Sequence, residues 1–127
     1  MQDFKELKVW RKSHELTLAV YRVTRGFPME EVFVLKSQIR RSASSVAANI
    51  AEGCGRGNAA ELGRYLRMAS GSVSELEYHL LLSHDLRLLS DRDWQTLSNQ
   101  AVDVRRMLGG LLSAVIARRA AKAKTKA

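Results

Sequence analysis

The sequence predicts an all-α protein, an up-down-up-down antiparallel bundle of four helices. Apolar residues recur at three- and four-residue spacing in four segments, which short turn-forming stretches separate. The 127 residues include one proline and 6% aromatic residues, fewer than β-rich domains use. This length suits a single hydrophobic core. We therefore expect one bundle domain over residues 1–117, followed by a basic, flexible C-terminal tail over residues 118–127.

The first predicted helix runs from about Leu7 to Arg25, where the Gly-Phe-Pro sequence at residues 26–28 ends it. Its apolar residues recur at helical spacing, so one side of the helix faces the core. These residues are Val9, Trp10, Leu16, Val20 and Val23.

The second predicted helix begins near Glu30 and Glu31, because acidic side chains stabilise the positive end of a helix dipole. It continues to Glu52, and Gly53 is the expected C-cap. One face is apolar, and much of the remaining surface is made of short residues that let other helices pack closely on more than one side. The apolar face consists of Leu35, Ile39, Ala43, Val46 and Ile50. The short residues are Ser42, Ala43, Ser44, Ser45, Ala47, Ala48 and Ala51.

Asn58 is the expected N-cap of the third helix, since Glu61 follows it at capping-box spacing. This helix is predicted to extend as far as Leu89. A turn and a new cap at residues 90–93 then precede the fourth helix. The apolar ridge of the third helix is Leu62, Leu66, Ala69, Val73, Leu76 and Leu80. The seam of the fourth is Trp94, Leu97, Ala101, Val104, Leu108, Leu111 and Val115.

Glycines inside the last two helices indicate close helix contact, because each costs about 1 kcal/mol relative to alanine. They are Gly71, Gly109 and Gly110. Once the seam of the fourth helix is buried, a second small or apolar face remains, and self-association is its simplest use. That face consists of Met107, Gly110, Ala114 and Ala117.

The chain is strongly basic, with a formal net charge of +8, and the tail supplies five of the positive charges. Such a tail suits phosphate or another anionic surface, and a tail that only keeps the protein soluble is the alternative. The single cysteine, Cys54, excludes an intrachain disulfide and favours a reducing compartment. Because no signal-peptide pattern or membrane-spanning run is visible, we expect a cytoplasmic protein without membrane contact.

No catalytic, cofactor or metal site is expected. A di-iron bundle requires Glu-x-x-His pairs, and no histidine here has a glutamate three residues before it. A bundle ribonuclease of the HEPN type uses Arg and His four to six residues apart, whereas Arg11 and His14 lie closer together. Cys54 follows a helix C-terminus, which raises a thiol pKa, so a structural role is favoured over a nucleophile. We therefore expect no enzymatic activity.

The glycine-rich stretch at residues 53–57 is predicted to form a tight turn. A phosphate cradle is the alternative, but the stretch follows a helix and lacks the Lys-Ser/Thr of a P-loop. A polar stripe on the second helix is interpreted as a structural network that holds the helix register, and not as a catalytic pair. Its members are Arg41, Asn49 and Glu52.

A specific residue pattern runs through the first three helices, and its core is Asn-Ile-Ala-Glu-Gly at residues 49–53. The other matching positions are Phe4, Leu7, Val9, Trp10, Phe27, Pro28, Glu31, Leu35, residues 38–41, residues 45–48, Arg56, Leu66, Ala69, Gly71, Ser72, Glu75 and Leu76. On this pattern, residues 4–115 resemble the bacterial four-helix-bundle proteins encoded by intervening sequences in 23S ribosomal RNA genes. Val34 stands where that family often has Gly, and Ala47 where it often has Pro.

The resemblance implies a left-handed four-helix bundle that assembles as a ring-shaped homopentamer, with a basic surface and RNA or DNA as the expected partner. No catalytic activity is established for the family. The architecture is also similar to the accessory variability protein of diversity-generating retroelements, which binds a reverse transcriptase and nucleic acid. The tail after Arg118 lies outside the matching pattern.

The favoured hypothesis is a non-enzymatic homo-oligomer that binds RNA or DNA through phosphates, because no base-reading motif or aromatic stacking platform is visible. For Arg40 and Arg41, an interface or a solvated face is the alternative. The alternative function is a protein scaffold or adaptor that docks a partner such as a reverse transcriptase or a ribosomal component. The candidate nucleic-acid-binding residues are Lys36, Arg40, Arg41, Arg56, Arg64, Arg67, Arg118, Arg119, Lys122, Lys124 and Lys126.

Overall fold

A computed structural model describes residues 3–126, and these residues form four helices and no strand. The helices are α1 (Lys8–Thr24), α2 (Ser37–Gly55), α3 (Ala59–Asp85) and α4 (Asp91–Lys126). Each helix packs against its neighbours in the chain, and α4 also packs against α1, which closes the bundle. Short connections join α2 to α3 and α3 to α4, so these contacting pairs run antiparallel. The predicted all-α bundle is confirmed.

The predicted apolar faces form the core. All five apolar residues predicted for the second helix are buried, and the ridge of α3 is buried except for the half-buried Leu62. On α4 the seam is buried from Leu97 to Leu108, and Val115 is its last buried residue. The largest completely buried side chains come from all four helices, and they include Leu16, Ile39, Leu66 and Leu108. Burial of this apolar surface is the main stabilising contribution to the bundle.

The short residues of α2 permit close packing against two helices, as predicted. Toward α1, the Thr17 hydroxyl donates a hydrogen bond to the carbonyl of Ala43 at 3.2 Å. Toward α3, the hydroxyls of Ser45 and Ser72 form a hydrogen bond at 2.8 Å. Side-chain contacts of this length with a neighbouring helix require short residues at the crossing points.

Gly53 is not the C-cap of α2, contrary to the prediction. The helix continues to Gly55, and Gly57 alone among the described glycines has a positive φ, at 79°. Gly53 is buried, and a Cβ atom at this position would lie 2.9 Å from Cβ of Tyr65. The absence of a side chain at Gly53 therefore allows α3 to approach α2 closely. The predicted tight turn therefore occupies only residues 56–58. The alternative, a phosphate cradle, is not supported, because Gly53 and Gly55 belong to a regular helix whose N–H groups are already used.

Asn58 caps α3 as predicted, since its side-chain oxygen accepts a hydrogen bond from the Glu61 backbone N–H at 2.9 Å. The helix ends at Asp85, short of the predicted Leu89. Arg87 adopts a positive φ of 64°, and the N–H groups of Leu88 and Leu89 turn back to donate to the carbonyl of Ser83. This reversal returns Leu89 to the core, where it is buried.

The connection between α1 and α2 is wound irregularly. A 3-10 turn spans Met29–Glu31, a π-helical turn spans Val32–Lys36, and regular α-helix starts only at Ser37. Helical winding thus begins near Glu30, as predicted. The prediction of regular α-helix from that point is wrong, because the first turns are 3-10 and π-helical. The wider π turn leaves Phe33 and Val34 exposed while Leu35 enters the core.

The tail is a helical continuation of α4, which extends unbroken to Lys126. The described residues from Ile116 to Thr125 are exposed, so the continuation leaves the body of the bundle. The predicted close contacts at Gly71, Gly109 and Gly110 are absent within the described chain, because a Cβ at each would meet nothing within 4 Å. All three glycines are exposed.

Replacing Gly53 with alanine is expected to lower the free energy of unfolding by about 1 to 2 kcal/mol, since overpacking exceeds the gain in helix propensity. Urea denaturation followed by circular dichroism measures this change. Gly55→Ala is the matched control, because a Cβ there enters open space and the helix gains up to about 1 kcal/mol. Equal stability of the two variants would show that α3 does not need the missing side chain.

Candidate nucleic-acid interface

The structure separates the predicted nucleic-acid-binding residues into two groups at opposite ends of the bundle. Arg40 lies on α2 and Arg56 directly follows the end of that helix, sixteen residues later, which corresponds to about 24 Å along the helix axis. The connection cluster, beside the α1–α2 connection, consists of Lys36, Arg40 and Arg41. The loop cluster, beside the α2–α3 loop, consists of Arg56, Arg64, Arg67 and Arg118.

Arg40 of the connection cluster is held in place by α1. Its Nε donates a hydrogen bond to Oγ1 of the buried Thr24 at 2.9 Å, and its Nη2 donates to the carbonyl of Tyr21 at 3.0 Å. The guanidinium carbon also lies 4.4 Å from the centre of the Tyr21 ring, a cation–π distance. Arg40 therefore links two helices and presents its remaining nitrogen, Nη1, in a fixed position.

A groove of about 540 Å³ lies beside Arg40. Its lining combines two aromatic rings, those of Tyr21 and Phe33, with the basic residues Lys36, Arg40 and Arg41, and no described residue of the lining carries a carboxylate. Lys36 is half-buried and Arg41 is exposed, and neither forms an ion pair within the described chain. The groove is thus both aromatic and positively charged.

In the loop cluster, acidic neighbours neutralise two of the arginines. Arg56 donates to Oε1 of Glu52 at 2.7 Å and to the Tyr65 hydroxyl at 2.8 Å, and Tyr65 and Glu52 raise its pKa. Arg64 forms a two-armed hydrogen bond with Glu61, which raises the pKa of Arg64, while Arg64 lowers the pKa of Glu61. Both guanidinium groups lie over the Tyr65 ring. These pairs leave less positive charge for a ligand than the sequence indicates.

The tail provides charge without such pairs. Arg118 lines a cavity of about 160 Å³ together with Cys54, Asn58 and Val115, so the tail leaves the bundle next to the α2–α3 loop. The side chains of Arg67, Arg119, Lys122 and Lys124 are exposed, and the side chain of Lys126 lies outside the described residues. No acidic residue follows Asp103 in the chain. The strongest positive charge is therefore at this end.

The predicted Arg41-Asn49-Glu52 network does not form in the described structure. Asn49 donates to the carbonyl and hydroxyl of Ser45, and Ser45 in turn contacts Ser72 of α3. Arg41 is exposed two helical turns away from Asn49, which is too far for a shared hydrogen bond. Glu52 pairs instead with Arg56, one turn further along. The register of α2 and α3 is thus held by a Ser-Ser contact and by Tyr65.

Cys54 is buried, and its burial, together with the charge of Asp3, raises the pKa of its thiol. The thiolate is therefore disfavoured, in line with the predicted structural role. Among residues 3–126, no three His, Cys, Asp or Glu side chains are grouped so that they could share a metal ion. Over the same residues, no helix is long and apolar enough to cross a membrane.

The sequence profile of the 23S rRNA-intervening sequence proteins matches residues 5–110. The chain belongs to this family. No curated protein matches its sequence. Its fold is similar to that of a crystal structure from Bacteroides thetaiotaomicron, described as a protein with unknown function from the S23 ribosomal protein family. The two share 24% identity with a TM-score of 0.77, over 83% of this chain and 95% of the other.

The tail of this member of the 23S rRNA-intervening sequence proteins lies beyond the matched region, whereas the connection cluster and most of the loop cluster lie within it. Sequence reasoning missed Tyr21 and Phe33, which the fold places beside Arg40. Phe33 could have been found from the sequence, because it lies two residues before the core residue Leu35 and is therefore on the opposite side of the chain from the core. Tyr21 carried none, since it is twelve residues away from Phe33.

One titratable contact joins the end of α3 to the start of α4. His84 donates from Nε2 to Oδ1 of Asp91 at 2.5 Å, and its ring stacks on Trp94 with centroids 4.4 Å apart. The hydrogen bond with Asp91, followed by that with Asp85, raises the pKa of His84. An unfolded histidine has a pKa of about 6.5. The contact thus stabilises the fold fully below that pH and loses its effect as pH rises through the raised folded pKa.

Asp91→Asn is therefore expected to lower the melting temperature more at pH 6 than at pH 9, because protonated His84 loses its partner only where it is charged in the folded state. Thermal denaturation at both pH values measures the difference. Asp93→Asn removes a second acid from the first turn of α4 without touching His84, so its effect should not vary over this range. A pH-independent loss in Asp91→Asn would contradict a stabilising His84–Asp91 charge contact.

Proposed function

We propose that this protein is a non-enzymatic, homo-oligomeric bundle that binds RNA or DNA through its basic surface and tail, without base-specific readout. The observation that carries the proposal is the basic end of α4. There, Arg118, Arg119, Lys122 and Lys124 lie on an exposed helix beside the α2–α3 loop. Such an arrangement binds a polyanion by releasing the counterions condensed on its phosphates.

The helical form of the tail adds to this proposal. Arg118 and Lys122 are four residues apart and lie on one side of the helix. A helix spaces these charges regularly along one line, as a phosphate backbone does. Contacts of this kind fix position and affinity but carry no sequence information.

The names of the relatives agree with a polyanionic setting. The family is described by 23S rRNA-intervening sequences, and the similar crystal structure comes from a protein family named after a ribosomal protein. From these names we take only support for RNA as the first ligand to test.

Self-association is part of the same proposal. Gly109 and Gly110 are exposed inside α4, and neither is explained by a contact within the described chain. Gly110, Ala114 and Ala117 form an exposed strip of small residues on which a second copy could pack its backbone closely. Met107 is half-buried against the core, so it belongs only partly to the face predicted from the sequence. The ring-shaped homopentamer rests on the family resemblance.

A protein scaffold is the second candidate function, and the exposed apolar residues of the α1–α2 connection favour it. Met29 and Phe33 are 84% and 90% exposed, and Val34 beside them is also exposed. Exposed apolar groups of this kind can dock a protein partner. Pull-down from a nuclease-treated lysate distinguishes the two functions, because a nucleic-acid binder should lose its ligand whereas a scaffold should keep its partner.

Neutralising the tail by changing its five basic residues to glutamine is expected to weaken RNA binding and reduce its salt dependence. If all five residues contact phosphates, the slope of log affinity against log salt should become shallower by about 3.5 to 4.5, because each lost phosphate contact removes about 0.7 to 0.9. Fluorescence anisotropy over a salt series measures both quantities. The control Arg118→Lys with Arg119→Lys keeps the charge and should bind normally. If the neutralised tail, or a chain ending at Ala117, bound with unchanged affinity and slope, the tail would not be the binding element.

Gly110→Gln is expected to reduce the assembly to smaller species, because the added side chain prevents close backbone approach on the exposed strip. Native mass spectrometry measures the assembly. Thr96→Gln adds a similar side chain to an exposed position of α4 about 21 Å away and should leave the mass unchanged. A wild-type protein that remained monomeric would refute the homo-oligomer altogether.

A further inference from the structure

We propose that the groove at the α1–α2 connection binds an unpaired base of a single-stranded nucleic acid, with Phe33 as the stacking surface and Arg40 and Arg41 as phosphate contacts. This inference rests on the proposed nucleic-acid function and specifies the form of ligand that one site recognises. It also replaces the expectation, drawn from the sequence, that no aromatic stacking platform exists.

Phe33 is the first observation. Its side chain is 90% exposed, so the ring contributes almost nothing to the core of the bundle. The residue lies in the π-helical turn Val32–Lys36, a rare geometry that is frequent at functional sites. Leu35, two positions later, is buried. The turn therefore anchors itself through Leu35 while it holds the Phe33 ring in solvent at the edge of the groove.

The charge of the groove is the second observation. Three basic side chains, Lys36, Arg40 and Arg41, line it together with the two rings, and none of the described lining residues is acidic. Its volume of about 540 Å³ falls within the range of about 300 to 1,000 Å³ that is usual for ligand sites. A ligand that is both flat and negatively charged fits this combination, and a nucleotide has both properties.

The anchoring of Arg40 is the third observation. Two of its nitrogens are occupied by Thr24 and Tyr21, whereas Nη1 makes no hydrogen bond to the described part of the chain. The guanidinium is already ordered by the protein, so contact with a phosphate costs little additional side-chain entropy. The Tyr21 ring below it is partly exposed and forms the floor of the groove.

These features favour a single strand over a duplex. In a duplex the faces of the bases are covered by their neighbours, so an aromatic side chain can stack only on an unpaired base. Stacking on an aromatic ring does not distinguish one base from another, because every base has a π face. The site therefore agrees with binding that lacks base-specific readout.

The test is fluorescence anisotropy at low salt with three labelled ligands: a single strand of about 12 nucleotides, the matching duplex, and an abasic strand with the same phosphates. Phe33→Ala is expected to weaken binding of the single strand about 5- to 150-fold, the range for loss of one stacked base. It should leave the duplex and the abasic strand unaffected. Phe33→Trp should bind the single strand at least as well as the wild type.

Met29→Ala is the matched control, because Met29 is similarly exposed on the same connection but is not among the residues that line the groove. It should bind all three ligands like the wild type. Since Phe33 is almost fully exposed, the Phe33→Ala variant should keep the melting temperature of the wild type, so weak binding would not reflect misfolding.

Three results would overturn the inference. If the wild type bound the strands and Phe33→Ala bound them equally well, the groove would not stack a base, although nucleic-acid binding would stand. If Phe33→Ala changed the native mass or released a protein partner, the ring would serve protein contacts. If the wild type bound no nucleic acid at low salt, the proposed function would fail together with this site.

Discussion

The close approach of α2 and α3 is the constraint on which the rest of the structure depends. Gly53 permits it at one end of the crossing, because any side chain there would collide with Tyr65. Ser45 and Ser72 maintain it nearer the middle through a direct hydrogen bond. With α3 fixed against α2, α1 and α4 can pack on the remaining sides and bury the apolar faces. The same contact places Tyr65 between Arg56 and Arg64 and so determines the geometry of the loop cluster.

The basic residues at the two ends of the bundle differ in whether acidic side chains pair with them and in what else they contact. At the α2–α3 loop, Glu52 and Glu61 pair with the nearest arginines, and the unpaired charge is carried by the helical tail. At the opposite end, Arg40 contacts an aromatic ring and has no carboxylate partner among residues 3–126. The protein thus presents one end suited to a phosphate backbone and another suited to a flat, charged group. An oligomer would repeat both surfaces around its axis.

Much of the fold follows from local patterns. The five apolar positions predicted for the second helix are all buried, and Asn58 caps α3, because helical spacing and capping depend on a few adjacent residues. The prediction that Gly53 caps the helix is wrong for the same reason, since a cap and a close helix contact both favour glycine and only the neighbouring helix distinguishes them. The predicted network of Arg41, Asn49 and Glu52 does not form, because a nearer group is available to each side chain. Asn49 donates to Ser45, Glu52 pairs with Arg56, and Arg41 is exposed to solvent.

By itself the sequence determined the number of helices, their core faces and the strongly basic tail, because helical periodicity and charge are properties of each segment alone. Only the tertiary structure decided which residues from different segments meet. Tyr21, Phe33 and Arg40 form one groove because the π-helical turn and the packing of α1 on α2 bring them together. Such contacts depend on helix crossing and register, and these are set by the packing of the whole core.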